Sequence, residues 1–403
     1  MTGPFLHPFA KPAAAASSFT TMVRGEGALV WDVDGRRYID AMASLWHCNI
    51  GHGRAEVAEA VAVQIGALET YQCFDRFSNA PADELADRLV QLAPVANSRV
   101  FLTSGGSEAV DSAIKLARLA QALSGHPDRT MIVSRTPSYH GVAYGGMTLT
   151  GLPNNRAHFG PGMGGAVQVP KDDLDAVRAV FTEHPDRVAA VFAEPVIGAG
   201  GVYPPAEGYL AELRALCDEH GAYLVLDEVI CGFGRLGAWS GGEHYGVHAD
   251  LTTFAKGVTS GYIPLGGVLL APSVHEPLSA DPTTMLMHGY TYSGHATACA
   301  AALACLNITE REGLLQRATE IGKRLSEGLQ GLSEDGLVAE VRGAGAMWAV
   351  QLHPGVDAVA VRDRVLDAGV IVRPIGSALA MCPPLVITDE DVDTVLSVLR
   401  EML

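Results

Sequence analysis

The chain divides by the period of its hydrophobic positions. Residues 27–40, GALVWDVDGRRYID, place alternating apolar side chains around Asp34-Gly35, a two-residue turn signal, and predict a hairpin. From Arg54 to Leu92 the spacing is helical, with Val57, Val61 and Ile65 and then Leu85 and Leu89 on three-to-four repeats. The centre differs. Short β-branched runs (RVFLTS, TMIVS, VAAVFAEPV, AYLVLDEV, LTTFAK, LGGVLLA) alternate with amphipathic segments such as DDLDAVRAVFTEH and GYLAELRALCDEH. Strands that are apolar throughout are buried on both faces, so this part predicts a mostly parallel α/β sheet between helices. After Ser293 the pattern is helical again, then gives the strand-like LVAEVRG and AMWAVQL and a closing amphipathic helix, DEDVDTVLSVLREML. The expected organisation is a large domain, 54–293, and a smaller α+β domain assembled from 1–53 and 294–403, because neither terminal piece has a core alone.

Composition narrows the partners. Of 403 residues 48% are hydrophobic and 18% charged, enough for a large core, and a net charge of −17 argues against nucleic acid or an anionic membrane as the main partner. Any bound anion must then be held by local donors. Seven cysteines form no CxxC pair, which predicts buried thiols in a reducing cytoplasm. No apolar run approaches the length of a membrane span.

Three segments carry candidate chemistry, each with a plainer alternative. VFLTSGGSEAVDSAIKLAR, 100–118, reads as strand, glycine turn and helix; such a turn aims backbone N–H groups at a phosphate, or is an ordinary turn with Ser107 as N-cap. It lacks the P-loop and dinucleotide fingerprints, as do GAGG at 198–201 and GAGA at 343–346. In AYLVLDEVICGFGR, Asp227 ends an apolar strand, either at a ligand-binding sheet edge or in a structural pair with an arginine such as Arg235. In LTTFAKGVTSGYIPLGG, Lys256 ends another apolar strand, either as a buried nucleophilic amine or as a lysine snorkelling to solvent. His244 and His248 have helical spacing but no intervening HExxH glutamate, so no metal site is expected. Glu194 ends a strand and is expected to border the site.

Together, a phosphate-cradling turn, a strand-end carboxylate and a buried lysine match the needs of pyridoxal 5′-phosphate, and Tyr139 of SYHG supplies a ring to stack on it. DEVICGFGRLG, TTFAKGVTSGYIPLGGV, HGYTYSGHATACAAALA and VRPIGSALAMCPPLVIT resemble the class-III aminotransferases, pyridoxal-phosphate enzymes of fold type I, over nearly the whole chain. The resemblance implies that Lys256 is the Schiff-base lysine and that Asp227 pairs with the pyridine nitrogen. It also implies that Gly106 and Ser107 cradle the phosphate, that Tyr139 and Val229 pack on the two ring faces, and that Thr291 reaches the phosphate of a partner subunit in a homodimer or tetramer. Val142 stands where ornithine- and 4-aminobutyrate-type members carry arginine, whereas SLWHCNIGHGR and TYSGH are similar to the ω-amino acid or amine:pyruvate transaminases. In that group Trp46 lines the substrate pocket and Arg373 grips a carboxylate; core packing and a surface ion pair are their plainer alternatives. The VRPIG tail and Pro-Pro pair also resemble the diaminopelargonate aminotransferases, the alternative activity.

Overall fold

The computed structural model describes residues 3–403, so the first two residues of the expected 1–53 segment lie outside it. Near the N-terminus β1 (Met22–Glu26), β2 (Leu29–Asp32) and β3 (Arg37–Asp40) pair antiparallel. The hairpin forms with a longer connection than two residues. Asp32 Oδ1 accepts from the N–H groups of Asp34 (3.0 Å) and Arg36 (2.9 Å), and Gly35 takes the left-handed conformation, φ +80°, at the tip.

The stretch read as one helical pattern forms two helices, Ala55–Ala67 and Ala80–Leu92. Proline is costly in a helix interior, but Pro81 is tolerated in the first turn, and Asn79 caps that turn by accepting from Ala82 N–H at 3.0 Å. Val57, Leu85 and Leu89 are buried, whereas Ile65 is 53% exposed.

Seven central strands form one sheet: β4 (Arg99–Thr103), β5 (Met131–Thr136), β6 (Ala166–Pro170), β7 (Val188–Ala193), β8 (Tyr223–Asp227), β9 (Leu251–Phe254) and β10 (Gly266–Leu270). Their order is β4-β10-β9-β8-β7-β5-β6, with β10 antiparallel to both neighbours and the others running one way. Successive residues point to opposite faces, and both faces are covered. Ile132, Ala190 and Val225 pack with helix Gly106–Leu123, while Val133, Val191 and Leu224 pack with helices Leu174–Glu183 and Tyr209–His220. The carboxyl ends of β4, β5, β7, β8 and β9 therefore share one edge, where open α/β sheets bind ligands.

The chain continues through helices Ala296–Arg311 and Leu314–Glu334 into β11 (Glu340–Ala344), β12 (Met347–Gln351), β13 (Val370–Ile371), β14 (Arg373–Ile375) and β15 (Ala378–Met381), closing with helix Asp389–Met402. One sheet has the order β11-β12-β15-β14; in the other, β13 joins β3 in parallel and extends the N-terminal hairpin. Ala28, Ile39 and Val57 share a hydrophobic cluster with Leu325, Val361 and Leu399, so the two ends of the chain are buried against each other. Among the described residues no helix is long and apolar enough to cross a membrane.

Candidate active site

The shared strand edge opens into a cavity of about 510 Å³. Eight of the nine residues singled out for cofactor or substrate line it: Trp46, Gly106, Ser107, Tyr139, Asp227, Val229, Lys256 and Arg373. Thr291 is the ninth. It is exposed, away from the cavity of its own chain.

Each side chain arrives from the end of a different element. β4 runs into the turn at Ser104-Gly105, and helix Gly106–Leu123 starts directly, so its first N–H groups face the cavity. Ser107 is not the cap of this helix. Gly105 is, and the Ser107 hydroxyl accepts instead from Val142 N–H at 3.1 Å, tying the turn to the Tyr139 loop. Gly106 is set by close packing, because a Cβ there would lie 3.0 and 3.2 Å from the two Val229 methyl groups.

Asp227 ends β8 with 4% exposure. Its Oδ1 accepts from Thr253 Oγ1 (3.0 Å), the residue registered beside it on β9, and from Val229 N–H (3.2 Å). The Arg235 pairing does not occur. Arg235 is buried elsewhere, donating to the Pro383 carbonyl and to Asn49 Oδ1, both at 2.6 Å. The partner of Asp227 is His140, whose Nδ1 lies 2.7 Å from Oδ2. An ionised carboxylate only accepts, so Nδ1 carries the hydrogen. His140 Nε2 is buried with no partner. Nothing but its place beside Tyr139 in SYHG marked this histidine in the sequence.

Lys256 follows β9 in a left-handed conformation, φ +47°, between Ala255 and Gly257. Burial pulls the ammonium below the usual lysine range, while the Asp227 and Glu194 carboxylates oppose that shift. Glu194 follows β7 with 3% exposure; its carboxylate accepts from Tyr139 N–H (3.0 Å) and Gly198 N–H (2.8 Å), holding two cavity loops together. Burial raises its pKa.

Arg373 begins β14 and enters from the C-terminal part of the chain; burial lowers its pKa, and Tyr139 is the one titratable neighbour acting on it. Its guanidinium is in no ion pair among the described residues, so the surface-pair alternative fails. Trp46 is 2% exposed and packs with Met42, Val196 and Ile230 while also lining the cavity, so core packing and pocket lining both hold. Pro8 and Phe9 of the N-terminal segment complete the wall without any signal in the sequence.

These residues fit pyridoxal 5′-phosphate: a helix N-terminus for the phosphate, a buried carboxylate held by hydrogen bonds on both oxygens, and an amine with a lowered pKa. The class-III aminotransferase family model matches residues 11–403. The chain belongs to that family. It is a pyridoxal-phosphate-dependent transaminase of α/β fold type I. Its relatives include the beta-alanine–pyruvate aminotransferase of Pseudomonas aeruginosa, 35% identical over 409 residues that cover 95% of this chain and 91% of that protein. The putrescine–pyruvate aminotransferase of the same organism is 33% identical over 414 residues, covering 95% and 90%. Among solved structures, an amine transaminase from an uncultivated Pseudomonas species is similar at a TM-score of 0.95 and 37% identity, over 100% of this chain and 98% of that one.

Proposed function

We propose that this transaminase moves an amino group from an ω-amino acid, polyamine or simple amine to pyruvate. The carrying observation is the single cavity that brings together the Lys256 amine, the Asp227 carboxylate and, from the far side, the unpaired Arg373 guanidinium. The acceptor and donor classes are supported by relatives acting on beta-alanine and putrescine with pyruvate.

Pyridoxal 5′-phosphate supplies an aldehyde that condenses with amines and a ring that takes up the electrons released at the substrate carbon. Lys256 would hold the cofactor through Nζ, and the same amine would carry the proton taken from the substrate Cα. Asp227 would pair with the protonated ring nitrogen, and His140 orients Asp227 through the Nδ1–Oδ2 hydrogen bond. Gly106 and Ser107 anchor the phosphate by backbone N–H groups, Tyr139 and Val229 enclose the ring, Trp46 bounds the amine side chain, and Arg373 grips the carboxylate of the acceptor.

The same reading makes the enzyme a cytoplasmic homodimer, with Thr291 donated to the phosphate site of the partner. In support, Phe74, Phe77, Met287 and Tyr292 are exposed on two segments that touch, Asn79 Nδ2 donating to the Gly294 carbonyl at 2.8 Å. All seven cysteines are free. It divides the chain into a large domain, 54–293, and a small one formed by 1–53 and 294–403.

Borohydride treatment of the purified holoenzyme, followed by peptide mass analysis, tests the central assignment. The cofactor tag belongs on Lys256; a tag on another lysine, or none, overturns it. A donor panel with pyruvate, reading alanine formation, tests the substrate class, and turnover with S-adenosylmethionine as donor would turn the reading toward diaminopelargonate formation.

A further inference from the structure

The Trp46 wall is built on an improbable backbone. Ala43, Ser44 and Trp46 all lie in the left-handed region (φ +45°, +58° and +67°), with no glycine among them. Such a turn persists only where its surroundings over-determine it; here the backbone closes on itself (Trp46 N–H to the Met42 carbonyl, His47 and Cys48 N–H to the Ala43 carbonyl, each 3.0 Å), and one buried carboxylate supplies the side-chain anchor. Asp40, 1% exposed, accepts from Met42 N–H through Oδ1 (3.1 Å) and from Ser44 N–H through Oδ2 (2.6 Å). Oδ2 also meets His52 Nε2 at 2.8 Å.

His52 is itself immobilised. Its backbone exchanges hydrogen bonds with Gly27 in both directions (3.0 and 2.8 Å), and its ring packs so tightly on β1 that a Cβ on Gly25 would lie 2.7 Å from the His52 Cβ. Burial alone would discharge this imidazole, but the hydrogen bond to Asp40 and the neighbouring Cys48 outweigh it and push the pKa up to about 10. The raised pKa favours the charged imidazole, which strengthens this 2.8 Å contact. The turn that Asp40 holds carries Leu45 and Trp46, which line the cavity together with Tyr139, Lys256 and Arg373.

We propose that Asp40 and His52 form a hydrogen-bonded clamp that fixes the Leu45–Trp46 wall and thereby sets which amine side chains the enzyme accepts. Neither residue touches the cavity in this role; both are positioning residues acting through Trp46, and the inference rests on the reading of Trp46 as a wall of the amine pocket.

The test measures kcat and KM on the holoenzyme for 1-phenylethylamine and for alanine, in His52→Gln, Asp40→Asn, Trp46→Ala and the double variant His52→Gln/Trp46→Ala. Each clamp variant is expected to raise KM for 1-phenylethylamine about tenfold, with kcat and the alanine KM within about twofold. In the Trp46→Ala background, His52→Gln is expected to add nothing to the ratio of the two kcat/KM values. A full-sized further change there, or unchanged ratios in both clamp variants while Trp46→Ala shifts its own, overturns the clamp. An unchanged ratio in Trp46→Ala instead overturns the pocket reading beneath it. Should the clamp variants fail to fold, hydrogen exchange on the wild-type holoenzyme decides: the Met42 and Ser44 amides are expected to exchange as slowly as those of β3, and fast exchange refutes a clamp.

Discussion

Nδ1 of His140 donates to Oδ2 of Asp227 across 2.7 Å, with both side chains buried at the carboxyl end of β8. The carboxylate is thus satisfied on one oxygen by Thr253 and the Val229 amide and on the other by a single imidazole. Charge-assisted hydrogen bonds of this kind are worth about 1.5–3 kcal/mol, so removing one weakens the hold on the proton that Asp227 must maintain. His140→Gln is expected to lower kcat by about tenfold to a hundredfold while the amine KM stays within about twofold. Asp227→Asn removes the charge itself and is expected to cost about a thousandfold in kcat. Stopped-flow decay of the cofactor absorbance on adding amine measures both, and an unchanged rate in His140→Gln would sink the role given to that histidine.

Arg373 separates two kinds of substrate. Its guanidinium has no carboxylate partner among the described residues and is partly desolvated, so its free donors suit a substrate carboxylate. Arg373→Ala is expected to raise KM for pyruvate and alanine by about a hundredfold, the worth of a bidentate charged pair near 3 kcal/mol. A simple amine such as 1-phenylethylamine should still convert the cofactor at close to the wild-type rate. Equal losses for both would show that Arg373 acts on the fold and not on the carboxylate.

Much of this site was legible before its geometry. β7 is apolar throughout, β8 is apolar up to its final aspartate, and β9 buries Thr252 and Thr253 between Leu251 and Phe254; these mostly apolar runs, covered on both sheet faces, located Asp227 and Lys256 at strand ends. Packing between distant segments was not legible. Arg235 lies close to Asp227 in the chain, yet the strand ends and the loop turns, carrying it to Asn49 and Pro383. β6 escaped notice because AVQVP is short and interrupted by glutamine. Ile65 keeps helical period with Val57 but faces outward, since period fixes a face and not what covers it. His140 had no signal beyond its position next to Tyr139; its pairing depends on the offset between β5 and β8, which no local pattern records.

The Asp40–His52 pair makes stability depend on pH in a definite direction. The His52 pKa rises from 6.5 to about 10 on folding, since burial is outweighed by the hydrogen bond to Asp40 and by the neighbouring Cys48. A group raised in the folded state contributes stability that is complete below its unfolded pKa and is lost as pH rises through its folded value. The melting temperature of wild type should therefore exceed that of His52→Gln by a margin that is largest near pH 6 and vanishes toward pH 10 and above. Thermal scans of both proteins across that range check the sign, and a margin that grows with pH would contradict it.

Gly257 shows how little room surrounds the nucleophile. A Cβ at this position, directly after Lys256, would lie 2.6 Å from Asn49 Nδ2 and 3.1 Å from the Phe233 Cβ. Asn49 cannot withdraw freely, because Nδ2 donates to the Phe233 carbonyl (2.9 Å) and Oδ1 accepts from the buried Arg235 (2.6 Å). Displacing it would leave an arginine donor unpaired in the core, beyond the overpacking itself. Each effect costs about 1–3 kcal/mol, so Gly257→Ala is expected to lose about 2–6 kcal/mol of stability. The Lys256 amine would shift with its neighbour, and rates fall steeply when a reacting group moves by even about 1 Å. Denaturation and amine half-reaction kinetics on Gly257→Ala should therefore both report damage. A variant as stable and as fast as wild type would mean that the Lys256 turn has slack the packing does not show.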